Sequence, residues 1–267
     1  IAPFDHRGSL ATALKLDLKT QLDREKFLHI KHLFMQILSP HVSAVLTDPE
    51  YGISTLHDKD PQCGLFLSLE ESGYSSDKDA MTILRSNWGV SGVKQHAAGA
   101  KLLVYINPKS STADAKLALI ESVANDCATA QVPFLVEPVL YALDDSPLWE
   151  KEGDESWIAT HLQVCEQIAP FCDILKIQYP GSQAACATVS TLHPNWILLS
   201  RGAAFDIFKE YLRTAARQGC KGFAAGRAVW QEIEDLDARE WEGFLRTTAV
   251  PRLQELIRIL RSANTLA

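Results

Sequence analysis

DILKIQYP, residues 173–180, is a short apolar run with a cation in its middle. The aliphatic residues predict a buried strand, and Pro180 ends it because proline cannot donate a hydrogen bond to a sheet ladder. Lys176 lies within this run, although a lysine ammonium is seldom fully buried without a partner. The place of this strand among the others therefore decides both the fold and the interpretation of the lysine.

Seven other apolar runs occur along the chain, and most of them end in polar or turn residues before a helical pattern. Continuous apolar runs are typical of parallel strands that are covered by helices. In chain order the eight runs are IAPFDHRG (1–8), SAVLTDPEYG (43–52), CGLFLSLEESG (63–73), AKLLVYINP (100–108), PFLVEPVLY (133–141), DILKIQYP (173–180), NWILLSRG (195–202) and CKGFAAGRAVW (220–230).

The segments between these runs predict amphipathic helices. Residues 113–131 follow a Ser-Ser-Thr cluster suited to N-capping, and 154–171 and 205–219 keep apolar residues near helical spacing. Gly219 resembles a C-terminal glycine cap. Eight strand-then-helix units in 267 residues predict one domain, 1–267, folded as a (β/α)8 TIM barrel. A doubly wound sheet is the alternative, weakened because no GxGxxG follows the first strand.

The composition narrows the class of protein. The formal net charge of −7 argues against nucleic acid or an anionic membrane as a partner, and no apolar run approaches the roughly 18 residues of a membrane span. Six dispersed cysteines without a CxxC pair predict reduced thiols, and with no visible signal peptide we expect a cytoplasmic protein. His29 and His32 lack a third ligand in the sequence, so no metal is expected.

Chemistry in such a barrel lies where the strands end. Strand parity places Lys176 and Gln178 on the inward face, with Lys101 directed inward from its own strand. Lys176 either neutralises a buried carboxylate such as Glu137 or is an amine that attacks a carbonyl. Lys101 either lowers the pKa of Lys176 by repulsion or forms a salt bridge at the barrel base.

Carboxylates and turns complete the set of candidates. Glu137 could move protons during carbonyl chemistry. Asp5 is a second candidate, with a structural pair to Arg7 or a helix cap as the alternative. The seventh and eighth strands end in glycine–arginine turns, where barrels often bind phosphate; a surface arginine before an ordinary helix is the alternative. The candidate substrate and phosphate ligands are Arg7, Asp48, Gln178, Ser200, Arg201, Gly202, Gly226 and Arg227.

Seven of these motifs together resemble the class I tagatose-1,6-bisphosphate aldolase family, which includes sulfofructosephosphate aldolases. The resemblance runs from the first strand to the eighth and rests on the order and spacing of the motifs. They are FDHRGSL (4–10), VLTDPEYG (45–52), AKLLVYINP (100–108), VEPVLY (136–141), DILKIQYP (173–180), WILLSRG (196–202) and GFAAGRAVW (222–230).

The resemblance implies a barrel in which a sixth-strand lysine, matched by Lys176, forms a Schiff base with a phosphorylated ketose. Asp5, Lys101 and Glu137 fall on the strands that carry catalytic residues in class I aldolases more widely. Such enzymes hold phosphate with a serine–glycine turn and a glycine–arginine turn. Ser200 and Gly202 match the first of these turns, and Gly226 and Arg227 match the second.

One position departs from the family pattern, because Arg201 stands where we expect a small residue. A cation there could bind a second phosphate, a sulfonate or a carboxylate. FDHRGS and YINP also resemble a related group linked to inositol breakdown, whose ketose carries one phosphate and an acidic end. The reaction type is therefore defined more sharply than the substrate.

The predicted function is a cytoplasmic class I aldolase that cleaves a phosphorylated ketose, such as tagatose 1,6-bisphosphate, without a metal or other cofactor. The alternatives are an aldolase for a monophosphate with an acidic end (sulfofructose phosphate or 2-deoxy-5-keto-gluconate 6-phosphate), a metal-dependent class II aldolase or isomerase, and a non-catalytic phosphosugar-binding barrel. The expected partner is a small phosphorylated ketose; a homo-oligomer is left open.

Overall fold

The computed structural model describes residues 1–71, 77–143 and 154–264. Eight strands form one parallel sheet in which spatial order equals chain order. All eight predicted strands are confirmed; seven lie inside their apolar runs, and the fourth begins one residue before its run. They are β1 (Ala2–Pro3), β2 (Ala44–Thr47), β3 (Gly64–Ser68), β4 (Gly99–Ile106), β5 (Phe134–Leu140), β6 (Ile174–Ile177), β7 (Trp196–Leu199) and β8 (Gly222–Ala224).

The sheet curves until its first and last strands meet. The backbone nitrogen of Ile1 donates to the carbonyl oxygen of Phe223 at 2.8 Å, and a Cβ on Gly226 would lie 3.2 Å from the carbonyl oxygen of Pro3. β8 therefore lies beside β1, as the predicted (β/α)8 barrel requires. A doubly wound sheet would instead reverse its strand order part-way through.

Helices follow the strands and cover the outside of the barrel. The three predicted helical segments are confirmed, and Gly219 has the positive φ of +99° expected of a glycine cap. The helices are α1 (Gly8–Ala13), α2 (Gln21–Leu38), α3 (Val90–Gln95), α4 (Ala113–Ala130), α5 (Glu155–Ile168), α6 (Gln183–Leu192), α7 (Phe205–Arg217), α8 (Arg227–Trp230), α9 (Trp241–Phe244) and α10 (Val250–Asn264); a π-helix, Leu245–Ala249, joins α9 to α10, and 3-10 helices span Ser39–His41, Ile53–Asp58, Ala169–Phe171 and Gln231–Asp235.

The N-terminus of α4 differs from the expected cap. Thr112 occupies the cap position, but its side chain makes no capping hydrogen bond. Its hydroxyl donates to Asp79, to the carbonyl oxygen at 2.8 Å and to the carboxylate at 3.0 Å, and the hydroxyls of Ser110 and Tyr141 also bond this carboxylate. The predicted capping cluster thus fastens the connection after β3 to the ends of β4 and β5.

The barrel interior is apolar at its base and charged above it. Leu135, Ile197 and Ala224 form a small buried cluster, with Phe66 and Ile174 packed against it. Leu135 pairs with Ile174 between β5 and β6. Two residues further along each strand, Glu137 and Lys176 therefore come side by side on the same inward face.

The composition predicted reduced cysteines and no membrane-spanning segment. All six cysteines are free, and five of them are buried, as expected of reduced thiols. Among the described helices, none combines the length and the apolar character needed to cross a lipid bilayer.

Candidate active site

A cavity of about 470 Å³ opens at the carboxyl ends of the strands. Each strand except β2 contributes to its wall, either directly or through the residues that follow the strand. Its polar and charged lining consists of Asp5, His6, Arg7, Ser9, Glu70, Glu71, Lys101, Tyr105, Glu137, Lys176, Ser200, Arg201 and Arg227. Ten of the twelve predicted site residues line this one cavity. Eight of them belong to the polar and charged lining, and the other two are Gly202 and Gly226.

The two predicted lysines meet at one carboxylate. Lys176 Nζ donates to Glu137 Oε2 at 2.8 Å, and Lys101 Nζ lies 3.3 Å from the same oxygen. All three residues are at least nine-tenths buried. Parity had placed the two lysines on the inward face, and the structure shows that they form a single charged group with Glu137.

Lys101 has two further carboxylate neighbours. Its ammonium bonds Asp5 Oδ2 at 2.9 Å and Glu70 Oε1 at 2.5 Å, although its side chain is only 1% exposed. The ammonium therefore connects a carboxylate within β5 to carboxylates that follow β1 and β3. Of the two interpretations left open by the sequence, the geometry shows that Lys101 forms salt bridges with these acids.

Glu70 was not among the predicted site residues. Its second carboxylate oxygen accepts the backbone N–H of Leu103 at 3.2 Å, and Arg7 Nη2 donates to its carbonyl oxygen at 2.8 Å. Both ends of Glu70 are therefore fixed while it holds Lys101. A sequence signal was present, because Glu70 shares strand parity with Phe66, which packs inside the barrel.

The cations determine the protonation state of the acids. Burial alone would raise the pKa of Glu137, but the ammonium groups of Lys176 and Lys101 more than offset it and lower that pKa. The same balance applies to Asp5, where burial is opposed chiefly by Lys101 and the pKa falls well below its ordinary value. Both acids are therefore ionised carboxylates at neutral pH.

His6 is a second cavity residue outside the predicted set. Its ring packs edge-to-face on Trp230 with centroids 5.5 Å apart, and Nδ1 lies 4.0 Å from Asp5 Oδ1. Burial and the cations of Arg227, Lys31 and Lys176 lower its pKa to about 4 against the opposing effect of Asp5. The imidazole is therefore neutral near pH 7 and can act as a hydrogen-bonding group towards a ligand.

The turns after β7 and β8 adjoin each other at the cavity mouth. Arg201 and Gly202 adopt positive φ angles of +46° and +81°. A Cβ on Gly202 would lie 3.2 Å from the guanidinium carbon of Arg227, so a side chain there would press on that group. Ser200 is buried beside the same cavity, and Arg227 is exposed at its edge. The predicted phosphate ligands are thus neighbours in space.

Arg7 presents a buried cationic edge to the cavity. Its side chain is buried, and Nη1 has no hydrogen-bond partner within the part of the chain that the structure describes. Buried N–H donors are usually satisfied, so this edge is suited to an anionic group of a bound molecule.

Two predicted substrate ligands lie elsewhere. The carboxylate of Asp48 is fully buried and pairs with Lys31 Nζ at 2.8 Å, while the same ammonium bonds the carbonyl oxygens of Phe4 and His6. Gln178 follows the last residue of β6, and its side-chain oxygen accepts the backbone N–H of Leu140 at 3.2 Å. Neither residue lines the cavity, because each is engaged in holding strand ends together.

Known proteins match both the sequence and the fold. Residues 1–232 match the protein family described as DeoC/LacD family aldolase. The chain belongs to this family. Tagatose 1,6-diphosphate aldolase of Streptococcus agalactiae serotype V is 28% identical over 302 residues, covering 98% of this chain and 91% of that protein. The enzyme of the same name from Staphylococcus haemolyticus is 26% identical over 98% of this chain and 91% of its own length.

Solved structures bear out the barrel of this DeoC/LacD family aldolase. An archaeal fructose 1,6-bisphosphate aldolase superposes with a TM-score of 0.64 at 16% identity, over 98% of this chain and 92% of that one. A second archaeal structure, with the catalytic lysine covalently bound to a carbinolamine intermediate, has a TM-score of 0.63 at 17% identity over 95% and 92% of the chains. The family, the barrel and the aldolase activity, a carbon–carbon lyase, are confirmed.

Proposed function

We propose that this aldolase is a class I enzyme in which Lys176 forms a Schiff base with the ketone of a phosphorylated ketose. The observation that carries the proposal is the contact of Lys176 Nζ with Glu137 Oε2 at 2.8 Å, deep in the cavity. An amine needs a base to lose its proton before it attacks a carbonyl. Glu137 is an ionised acceptor at hydrogen-bond distance from that amine.

The reaction follows from this pair. Lys176 attacks the ketone to give a carbinolamine, and Glu137 transfers the protons that release water and form an iminium. The iminium accepts the electron pair when the C3–C4 bond breaks, while Glu137 removes the proton of the C4 hydroxyl. Lys101, held by Asp5 and Glu70, keeps Glu137 ionised and orients the substrate hydroxyls.

The phosphate of the dihydroxyacetone-phosphate half is assigned to the turns after β7 and β8. Ser200 and Gly202 supply the first turn, Gly226 and Arg227 the second, and the Arg227 fork matches the geometry of a phosphate. Binding energy from this remote group orients the ketone over Lys176 and so accelerates the chemical step.

Tagatose 1,6-bisphosphate is the first candidate substrate, because the curated relatives are named for it. The second candidate is a ketose monophosphate with an acidic end, sulfofructose phosphate or 2-deoxy-5-keto-gluconate 6-phosphate. Arg201 favours it, since a bulky cation in a left-handed conformation lines the cavity beside the phosphate turn. Cleavage rates on these three sugars and fructose 1,6-bisphosphate would rank the candidates.

Trapping with borohydride tests the mechanism. Wild-type protein incubated with dihydroxyacetone phosphate and borohydride gains the mass of the reduced adduct, because borohydride reduces the iminium irreversibly. The Lys176→Ala variant gains nothing. Lys209→Ala serves as the matched control, since its ammonium pairs with Asp206 and Glu255 and does not line the cavity. An unchanged wild-type mass would exclude the Schiff base.

The same measurements separate the alternatives. A non-catalytic phosphosugar-binding barrel would show neither cleavage nor an adduct. A class II, metal-dependent enzyme would lose cleavage with a chelator and form no adduct. The proposal also includes a cytoplasmic location, a small phosphorylated ketose as partner and no nucleic acid or membrane partner; the oligomeric state is left open.

A further inference from the structure

His32, His57 and Asp58 form a compact polar group that is separate from the cavity. His32 lies on α2, and the other two end the 3-10 helix Ile53–Asp58. His32 Nδ1 is 2.5 Å from Asp58 Oδ2, and His57 Nε2 is 3.5 Å from Asp58 Oδ1. One ligand atom from each residue lies within 4.8 Å of the other two. None of the three lines the cavity.

The two elements that carry the group are locked together. Phe27 on α2 packs edge-to-face on Tyr51, with centroids 5.0 Å apart. Gly52 approaches β2 so closely that a Cβ on this residue would lie 2.0 Å from Thr47 Oγ1. The hydroxyl of Thr55 donates to the carbonyl oxygen of Gly52 at 2.8 Å. The backbone positions of the three ligands are therefore fixed by the fold rather than by contacts among the ligands.

The charges around the group suit a cation. Asp58 supplies one negative charge, and neutral imidazoles supply lone pairs. The adjacent cation, Lys59, donates to the carbonyl oxygens of Asp60 and Cys63, so it is bonded to backbone rather than to the carboxylate of Asp58. The side chains of His32 and Asp58 are 35% and 25% exposed and that of His57 is 68% exposed, which leaves a path for an ion and a water ligand.

We propose that His32, His57 and Asp58 bind Zn²⁺, with water as the fourth ligand. Two imidazoles and a carboxylate are typical zinc ligands, whereas Mg²⁺ and Ca²⁺ prefer oxygen donors throughout. Zinc bonds of about 2.0–2.2 Å can be made by ligand atoms that lie as near to one another as these three, which are all within 4.8 Å. The bound ion ties α2 to the connection between β2 and β3 and stabilises the folded state. The further ligands that the sequence around His32 lacks are supplied by His57 and Asp58, which lie about 25 residues further along the chain.

Calorimetric titration of the whole protein with Zn²⁺ tests the site. We expect one ion per chain in wild type, binding at least about tenfold weaker in His57→Ala, because losing a direct ligand costs no less than losing a supporting one. His29→Ala is the matched control: it removes an exposed imidazole from the same helix, stacked on Trp241, and keeps wild-type affinity. Equal losses in both variants would overturn the proposal.

Two further measurements keep the result specific. Asp58→Asn preserves the shape of the side chain and removes its charge, so it also weakens Zn²⁺ binding, while Mg²⁺ produces no comparable heat in wild type. Zn²⁺ raises the melting temperature of wild type and leaves that of His57→Ala unchanged. Zn²⁺ binding that survives in His57→Ala and disappears on thiol alkylation would assign the ion to cysteines and refute the site.

Discussion

Lys176 and Lys101 share a single oxygen of Glu137, at 2.8 and 3.3 Å. Two buried ammonium groups on one carboxylate oxygen lower the pKa of that acid despite its burial. They also repel each other, so the position of each lysine depends on the charge of Glu137 and of the other acids around it. The behaviour of this group under substitution follows from that dependence.

Glu137→Gln keeps the size of the side chain and removes both the base and the charge. We expect kcat to fall by about 10²–10⁴-fold, the range for loss of a positioned proton-transfer group. Trapping of dihydroxyacetone phosphate by borohydride slows as well, because iminium formation also needs this carboxylate. Steady-state kinetics and timed mass measurements check both. Normal trapping with slow cleavage would restrict Glu137 to the bond-breaking step.

Glu70→Gln tests the residue that supports Lys101. The amide oxygen can still accept the N–H of Leu103, but the charge opposite Lys101 Nζ is lost. We expect kcat to fall by about 100-fold with little change in KM, because misplacement of a catalytic group by about 1 Å has this effect. Glu50→Gln, at an exposed ion pair with Arg85, is the control. A raised KM at unchanged kcat would show that Glu70 acts in substrate binding instead.

Gly202→Ala tests the phosphate turn. The backbone there has a φ of +81°, and the new methyl would lie 3.2 Å from the guanidinium carbon of Arg227. We expect KM for phosphorylated substrates to rise about tenfold or more, because the strained turn displaces Arg227. A tenfold rise corresponds to a loss of about 1.4 kcal/mol of binding free energy. Gly243→Ala, where a Cβ meets nothing within 4 Å, keeps wild-type KM. Equal KM values in both variants would contradict the assigned turn.

His161 makes the stability of the fold depend on pH. The side chain is fully buried against Trp157, and both ring nitrogens lack hydrogen-bond partners within the described ranges. Burial, with a contribution from Arg201, lowers its pKa from 6.5 to about 3. Below pH 6.5 the unfolded chain takes up a proton that the folded chain does not, so stability falls progressively as the pH drops from 6.5 towards about 3.

His161→Phe removes this proton uptake from the unfolded chain. Denaturant unfolding at several pH values across the window should therefore give a flatter dependence for the variant than for wild type. His96→Phe, at a partly buried position, is the matched control for replacing a histidine by phenylalanine. A variant with the wild-type slope would mean that other groups govern the acid sensitivity.

Strand and helix positions were predictable because their signals are local. The apolar runs located all eight strands, and parity placed Lys176 and Lys101 on the inward face, where Glu137 joins them. Parity failed for Gln178 because β6 ends at Ile177, one residue earlier. Asp48 was assigned to substrate because a strand-end carboxylate looks like a ligand, but Lys31 reaches it from α2, and no local pattern encodes that contact.

The site itself was predictable in part. Inward direction can be read from strand parity, but distance cannot, so the shared oxygen of Glu137 and the bond from Glu70 to Lys101 required the folded arrangement. Glu70 was recognisable as a strand-end acid, yet nothing in its run distinguishes a buried partner from a solvated one. The ligand group of His32 joins segments separated by a strand, and spacing along one helix could not reveal it.

Asp48 does not line the cavity, yet its ion pair with Lys31 supports the strand that carries Asp5 into it. Substitution of Asp48 is therefore expected to abolish turnover. β1 has only two residues, and Lys31 bonds the carbonyl oxygens on either side of Asp5 while Asp48 neutralises it. A screen that scored colonies by growth on the sugar would rank Asp48 among the essential positions. Such a screen would not distinguish a residue that holds the two-residue strand β1 in place from a residue that takes part in the reaction. Thermal denaturation of the purified variants would distinguish the two roles.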